Sequence, residues 1–313
     1  MAAPAVSTSV FAQSNWPTRV VRLVVGFPPG GGADSAARIA ANRLSEMWGQ
    51  QVVVENKAGA GGNLAHDNVA HAAPDGCTML FSPSSFSIMK FLYGSLSYDA
   101  MADFTPISLL GRYPNLVVVS KTSRFNSLKD YIDAAKANPG KVTFATPGIG
   151  TTPHLTAELF KHMARIDITH VPYRGVSAGA MSDLLADRID SMFNTTGSLL
   201  QSVRSGQVRG IAASTPQRSP LAPEIPTFAE TGVPGFDVSS WYGMFVPSKT
   251  PKEIVAKMHD SVVRMLTEPT IRQRYETLGV EAASATPEQL TALMKAEITL
   301  WEPIIKAAGV KLE

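Results

Sequence analysis

The chain has 313 residues, of which 44% are hydrophobic and 17% charged, and its 28 basic and 26 acidic side chains give a net charge of +2. This apolar content excludes wholesale disorder, since it is enough for a large core. The near-neutral charge and the scatter of the basic residues argue against a protein that binds the nucleic-acid backbone. The single cysteine, Cys77, excludes an intramolecular disulfide and a cysteine cluster for zinc or iron–sulfur. We therefore predict no cofactor and no metal.

The beginning of the chain resembles part of an export signal. Residues 1–12 are small or apolar and uncharged, and they end in Val10-Phe11-Ala12, the kind of sequence that signal peptidase accepts. A complete signal would also carry basic residues and a longer apolar run. We interpret residues 1–15 as what remains of a truncated signal and expect an exported, periplasmic protein; a disordered cytosolic N-terminus is the alternative. No run approaches the roughly 18 apolar residues of a membrane span, so we expect no integral membrane protein.

Strands and helices alternate along the first block of the chain, which predicts an α/β fold with mostly parallel sheets. An apolar strand ends at a run of prolines and glycines, and a helix with apolar residues at i, i+3 and i+4 follows it. The predicted strands of this block are 20–27, 51–54 and 78–81, with a second, short helix at 63–72.

A second βα series begins near residue 116, and a tail that contains only helices follows it. The predicted strands are 116–119, 142–145, 168–172, 189–193 and 208–213, and the predicted helices between them are 128–137, 153–164, 178–186 and 199–205. An extended segment at 236–247 then leads to helices at 252–266, 270–278 and 287–308.

The helical tail predicts how the chain divides into domains. Its apolar stripes have no sheet of their own to cover, so they must pack on an earlier sheet. We therefore predict a discontinuous domain 1 (16–118 plus 240–313) and an inserted domain 2 (119–239), each a mostly parallel sheet flanked by helices. The chain then crosses near residues 118 and 240, and two lobes joined by two strands form a hinge around a cleft.

Three glycine- and hydroxyl-rich turns follow predicted strands, at 27–35, 146–152 and 173–175. Ligands of open α/β sheets bind beyond the carboxyl ends of the strands, where loops and helix N-termini meet. Glycines allow close backbone approach, and free N–H groups at a helix N-terminus attract anions. The turns therefore predict a cleft that holds a small carboxylate. In the alternative, Asp34 or Ser35 simply caps the first helix.

Two catalytic or metal-binding patterns are weaker. Residues 175–179 match G-x-S-x-G, which suggests a hydrolase with Ser177 as nucleophile, but the only later histidine, His259, lies inside a predicted helix. His154, Glu158 and His162 recur every four residues, a spacing that drifts around a helix, and we interpret them as a polar helix face. The absence of a clear nucleophile–base pair favours binding without catalysis.

Motifs along nearly the whole chain resemble the Bug family, the extracytoplasmic solute receptors of tripartite tricarboxylate transporters. They occur in the family's order. They are Trp16-Pro17, FPPGGGAD at 27–34, VVVENKAGAGGN at 52–63, PDGCTML at 74–80, DFTPISLL at 103–110, THVPYRG at 169–175, IPTFAETGVPGF at 225–236 and WEPIIKAAGVK at 301–311. This chain departs from the family pattern at Ala33, where threonine is common, and at Cys77, where tyrosine is usual.

The resemblance implies a two-lobed periplasmic binding protein of the Venus flytrap type (type II-like). It would be a monomer that captures a small di- or aromatic carboxylate and delivers it to membrane permease subunits; a ligand-dependent sensor adaptor is a further alternative. The aromatic residues Phe27, Phe86, Tyr173, Trp241 and Tyr242 are candidates for a pocket wall, or equally for interlobe core. The implied ligand-binding residues are Phe27, Gly31, Ala33 and Asp34 in the first loop, Ser82, Ser84 and Ser85 after the third strand, Gly150, Thr151 and His154 in the second loop, Tyr173 and Gly175 opposite, and Asn194 and Thr195 at the end of a domain 2 strand.

Overall fold

Two mixed β-sheets with helices on their faces confirm the predicted α/β class in this computed structural model, which describes residues 15–173 and 178–312. Almost all of the predicted leader, together with Gly175 and Ser177, lies outside the described residues. In each sheet, three neighbouring strands that lie far from the other lobe are parallel to one another. The strands nearest the other lobe run antiparallel to their neighbours. Each sheet is therefore mixed, because the crossing strands occupy its inner side.

The first sheet, with the helices on its faces, forms the N-terminal lobe. Strand β1 (Val21–Val25) lies between β2 (Val52–Asn56) and β3 (Thr78–Pro83), parallel to both. Strand β9 (Ser239–Pro247) joins β3 in antiparallel register, and the first part of β4 (Phe104–Ser120) pairs with β9. The short strand β10 (Glu281–Ala282) covers the other side of β4.

The second sheet forms the second lobe. Strand β5 (Thr143–Thr146) lies between β6 (Thr169–Pro172) and β7 (Ser191–Thr195), again with parallel pairing. The last part of β4 pairs with β7 on one side and with β8 (Val208–Ala213) on the other, antiparallel to both.

The helices cover both faces of both sheets. Within the described ranges, none of them is long and apolar enough to cross a membrane. They are α1 (Gly32–Trp48), α2 (Asn63–Ala70), α3 (Met89–Leu92), α4 (Leu128–Ala137), α5 (Thr152–Ala164), α6 (Ala178–Leu185), α7 (Thr196–Arg204), α8 (Lys252–Thr267), α9 (Pro269–Thr277) and α10 (Pro287–Ala308), with 3₁₀ helices at Ala60–Gly62 and Ser84–Ile88.

Strand β4 belongs to both sheets. Its residues 104–114 pair with β9, and from Asn115 onward it pairs with β7 and β8. The sequence predicts only the stretch 116–119, because the earlier part contains Pro106 and Pro114, which cannot donate a ladder hydrogen bond, and Gly111. The pairing with β9 accommodates these residues through two register shifts, near Pro106 and near Gly111.

The helical tail packs on both earlier sheets, whereas its apolar stripes predict packing on one of them. Helix α8 places Met258, Val262 and Met265 in the core of the N-terminal lobe together with α1. Helix α10 begins in that lobe, with Leu290 buried against its sheet, and reaches the second lobe, where Trp301 joins the core. One helix therefore contributes to a hydrophobic core in each lobe.

The two lobes also meet backbone to backbone beside β4. A Cβ atom on Gly197, in the first turn of α7, would clash with the carbonyl oxygen of Leu278, which ends α9. Gly279 faces the same contact, and a Cβ there would lie 2.6 Å from the Gly197 nitrogen. Only glycine fits this close contact.

We expect Gly197→Ala to push the lobes apart, because a backbone carbonyl cannot rotate away from the added methyl group. Overpacking of this kind costs about 1–3 kcal/mol, measurable by urea unfolding, and the radius of gyration in small-angle X-ray scattering should rise. Gly179→Ala on α6 is the matched control, since its Cβ would make an ordinary 3.7 Å contact with the Tyr173 ring. Equal stability and equal radius for the two variants would contradict the prediction.

Candidate functional site

Asp34 organises the first loop from inside. Its side chain is only 3% exposed, and Oδ2 accepts hydrogen bonds from the Gly30 N–H and the Arg38 guanidinium, each at 2.9 Å. Oδ1 accepts from Asn56 Nδ2 at 2.8 Å, and the same amide donates to the Phe27 carbonyl at 2.9 Å. Burial opposes ionisation, but the bonds from Arg38, Gly30 and Asn56 hold the pKa of Asp34 below its usual value. The carboxylate thus fixes the path of the loop.

The other predicted residues of this loop surround the N-terminus of α1. Gly31 is the N-cap residue, without a side-chain cap, and Ala33 is buried in the core. Phe27 is half-buried and packs against that core. The N–H groups of Gly32 and Ala33 make no hydrogen bond to any residue in the described part of the chain. This first turn therefore offers two donors to an anion.

Ser82 supports the end of β3 through a buried hydrogen-bond chain. Its hydroxyl lies 3.0 Å from His66 Nε2, and His66 Nδ1 lies 2.8 Å from the Tyr98 oxygen. Tyr98 donates its single proton to Asn63 Oδ1, so His66 Nδ1 must donate and Nε2 must accept the Ser82 proton. Burial lowers the pKa of His66 to about 3, which keeps the ring neutral. The Ser82 oxygen can then only accept a further hydrogen bond.

Ser84 and Ser85 line a cavity between the lobes. They are 5% and 7% exposed, and neither hydroxyl has a hydrogen-bond partner among the described residues. The cavity has a volume of about 10 Å³, which is enough for about one water molecule. We call it the interlobe cavity; its remaining lining is Ile88, Thr152 and Leu155 of α5, Val238, Ser239 and Ser240 at the start of β9, and Glu297 and Trp301 of α10.

The second loop is held by its own hydrogen bonds. The Gly150 N–H donates to His154 Nδ1 at 3.1 Å, and the Thr151 hydroxyl donates to the Gly148 carbonyl at 2.7 Å. Thr151 is the N-cap residue of α5, and its side chain caps no amide. The next residue, Thr152, brings the first turn of α5 to the interlobe cavity.

The His154 side chain faces an outer groove of about 620 Å³ between α5 and residues 304–311. Its ring stacks on His170 with centroids 4.2 Å apart, and its pKa falls to about 3, chiefly through burial. Glu158 is also buried and pairs with Lys161 at 3.1 Å, whereas His162 is exposed. His154, Glu158 and His162 share this polar side of α5, as predicted, but the C-terminal segment covers His154 and Glu158 and leaves only His162 exposed. No group of three metal-ligating side chains occurs in the described part of the chain.

The remaining predicted residues end strands β6 and β7. The Tyr173 hydroxyl donates to Asp183 Oδ2 at 2.6 Å, and Asn194 Oδ1 accepts the Thr195 N–H at 2.8 Å. Thr195 caps α7 by position, and its hydroxyl lies 3.0 Å from Ser198 Oγ. Among the residues that the structure describes, no hydrogen bond joins the first loop, the second loop and the β7 end directly to one another.

Three of the candidate wall aromatics belong to the cores. Phe86, Trp241 and Tyr242 are buried, the first two in one core of the N-terminal lobe and Tyr242 in the other. The indole N–H of Trp241 donates a hydrogen bond to Glu297 Oε1 at 2.8 Å. Phe27 and Tyr173 are half-buried at the loops.

Sequence reasoning missed Glu297 and Trp301 as cavity residues, and it included Thr152 only as the end of the predicted turn 146–152. Glu297 has a visible signal: on α10 it occupies an inward position of the stripe that Leu290, Met294 and Trp301 otherwise fill with apolar groups. An acid in such a position needs a partner or a function.

A two-lobed α/β fold with hydroxyls and the first turn of α5 at an interlobe cavity is the architecture of the solute-binding proteins. Residues 36–310 match the model of the tripartite tricarboxylate transporter family receptor. The chain belongs to this family, the Bug or TctC-like receptors.

Relatives of known sequence cover nearly the whole chain. The UPF0065 protein in the tcbD-tcbE intergenic region of Pseudomonas sp. strain P51 is 39% identical over 93% of this chain and 86% of its own. Protein BugT of Bordetella pertussis is 34% identical over 95% and 92%.

Solved structures agree in fold. The periplasmic binding protein BugD has 35% identity and a TM-score of 0.81, over 95% of this chain and all of its own. Rpa4515 of Rhodopseudomonas palustris with adipate has 35% identity and a TM-score of 0.84 with the same coverage. MatC of that organism with bound malate has 32% identity and a TM-score of 0.79, over 93% of this chain and all of its own.

Proposed function

We propose that this receptor captures a small carboxylate between its lobes and delivers it to the membrane subunits of a tripartite tricarboxylate-type transporter. The observation that carries the proposal is the interlobe cavity, where the hydroxyls of Ser84 and Ser85 have no hydrogen-bond partner within residues 15–173 and 178–312. The similar proteins that hold malate and adipate support the ligand class. A periplasmic location, a monomeric state and binding without catalysis are parts of the same proposal.

The predicted site residues enter this proposal in two layers. Ser84 and Ser85 line the cavity and are candidates for direct contact, together with Thr152. The amides of Gly32 and Ala33 lie outside that lining and are separate candidates for an anion contact at the first turn of α1. Asp34 and Ser82 make no direct contact with the ligand in this proposal; they hold the loops of the site in place through their hydrogen bonds.

Domain boundaries near residues 118 and 240 remain a proposal, which the change of partners along β4 at Asn115 and the start of β9 at Ser239 supports. A cavity with room for one water centre is too small for adipate, so the lobes must separate to admit such a ligand. Hinge motion between two lobes is the ordinary way to do so.

Isothermal titration calorimetry against malate, adipate and an aromatic dicarboxylate tests the proposal. We expect at least one to bind with a dissociation constant around the micromolar range, about −8 kcal/mol. Ser84→Ala or Ser85→Ala should weaken it roughly tenfold or more, because a hydrogen bond to a charged group contributes about 1.5–3 kcal/mol. Ser182→Ala, at an exposed position of α6, is the matched control. No binding across the panel by ligand-free protein would contradict the proposal.

A further inference from the structure

Glu297 places a carboxyl group at the interlobe cavity. Its Oε1 accepts the Trp241 indole N–H at 2.8 Å, and its Oε2 lies 2.7 Å from Ser87 Oγ. It is the only ionisable side chain in the lining of this cavity, as far as the described residues extend. An ionised acid beside the site would repel an anionic ligand, so the protonation state of Glu297 matters for binding.

The hydrogen-bond geometry favours a neutral acid. Ser87 Oγ also lies 2.8 Å from the Ser84 carbonyl oxygen, which can only accept. Ser87 has a single proton for two acceptors, this carbonyl oxygen and Glu297 Oε2, so an ionised carboxylate leaves one of the two contacts without a hydrogen. A protonated Oε2 donates to Ser87 while Oε1 still accepts from Trp241, and every partner is then satisfied.

The charges around Glu297 do little to keep it ionised. From β4, Arg112 favours the charged form, and the buried Tyr113 hydroxyl is neutral, its pKa raised well above the usual value by burial. On α3, Lys90 lies over the Phe91 ring, 5.2 Å from its centroid, and is exposed.

As far as the structure describes the chain, the other elements packed around α10 add no cation to the cavity. On α5, the charged or titratable side chains of His154, Glu158 and Lys161 line the outer groove instead. The 3₁₀ helix Ser84–Ile88 and the start of β9 bring no charged side chain. Burial raises the pKa of Glu297 to about 8, against smaller opposing effects of Ser87, Trp241 and Arg112.

We propose that Glu297 holds a proton when the ligand binds, so that carboxylate capture is linked to protonation of this side chain. The inference rests on the proposed carboxylate site. An ionised Glu297 would repel a carboxylate across a cavity of low dielectric, whereas the neutral acid does not. The ligand in turn makes ionisation of Glu297 harder, so the bound receptor retains a proton that the free receptor loses at alkaline pH.

The first experiment measures this linkage by calorimetry with malate or adipate, whichever binds, from about pH 6 to about pH 9.5. Affinity should stay nearly constant below about pH 7 and fall by up to about tenfold per pH unit above about pH 8. Above that pH, heats in buffers of different ionisation enthalpy should show uptake of a proton on binding. In Glu297→Gln, whose amide can also donate to Ser87, both effects should disappear while binding persists.

Glu302→Gln, on the exposed side of the same helix, is the matched control and should keep the wild-type profile. Flat wild-type affinity up to about pH 9.5, or an unchanged profile in Glu297→Gln, would overturn the inference.

A second experiment needs no ligand. The folded chain retains a proton that the unfolded chain loses above its ordinary pKa of 4.5, so stability should fall as the pH rises from there to about 8. The urea midpoint of Glu297→Gln should therefore rise relative to wild type across this range and then level off. A constant difference would overturn the inference. If no ligand of the panel binds but the stability difference changes with pH as expected, the proposed function and the linkage to it fail, while the protonation of Glu297 stands.

Discussion

Trp301→Ala should destabilise the protein by about 3–5 kcal/mol, the range for loss of a buried tryptophan. The Trp301 side chain is 5% exposed and lies in the core of the second lobe, on a helix whose first half packs in the other lobe. The substitution removes the largest of the side chains, with Ile304 and Ile305, that α10 places in that core. The measurement is the free energy of unfolding in urea.

Trp301→Phe should cost less, since a ring remains, and Leu300→Ala is the control because Leu300 is 37% exposed. Trp301 also lines the interlobe cavity, so Trp301→Phe should weaken the binding of whichever ligand of the calorimetry panel binds to wild type. An unfolding free energy for Trp301→Ala within about 0.5 kcal/mol of wild type, the range of ordinary surface changes, would show that the helix is held elsewhere.

Asp34→Ala should cost about 3 kcal/mol and should weaken ligand binding as well. The substitution removes a charged acceptor of hydrogen bonds, each worth about 1.5–3 kcal/mol and not additive, and it leaves the Gly30 N–H without its partner. The loop that carries Phe27 and Gly31 then loses its anchor. Urea unfolding and calorimetry with malate or adipate measure the two effects.

The stability difference between wild type and a second variant, Asp34→Asn, should depend on pH with a definite sign. The folded-state pKa of Asp34 is below its ordinary value of 3.8, so its contribution to stability is present above that value and is lost as the pH falls through the folded pKa. The difference between wild type and Asp34→Asn should therefore shrink in acid. Asp133→Asn, which alters an exposed ion pair with Lys129, is the control and should change stability by less than about 0.5 kcal/mol. A difference that is unchanged down to about pH 2 would contradict this assignment.

Local signals explain which elements could be predicted from the sequence. Helices α4 and α10 have the predicted bounds, and each begins with a capping box, at Ser127 and at Thr286. The first part of β4 could not be predicted, because Pro106 and Pro114 argue against a strand and only pairing with β9, far along the chain, overrides them. The two-residue strand β10 depends in the same way on β4.

In the candidate site too, the residues with a local sequence signal could be predicted, and those that depend on distant contacts could not. Loops that follow strands were recognisable from glycines and hydroxyls, and the structure puts Ser84 and Ser85 at the cavity. Glu297 stands out as an acid in the apolar stripe of α10, but its contacts could not be predicted, because its partners Ser87 and Trp241 are 210 and 56 residues away. The burial of His154 likewise depends on the C-terminal segment that folds over α5, which no local spacing reveals.

The sharing of β4 has a consequence for anyone who wants the second lobe alone. Residues 115–120 are its central strand, with β7 on one side and β8 on the other. A fragment cut at residue 119 would leave most of that strand behind and would expose the edges of both neighbours, which invites aggregation. An autonomous version of this half must therefore start upstream of Asn115, and it must bring its own substitute for the end of α10.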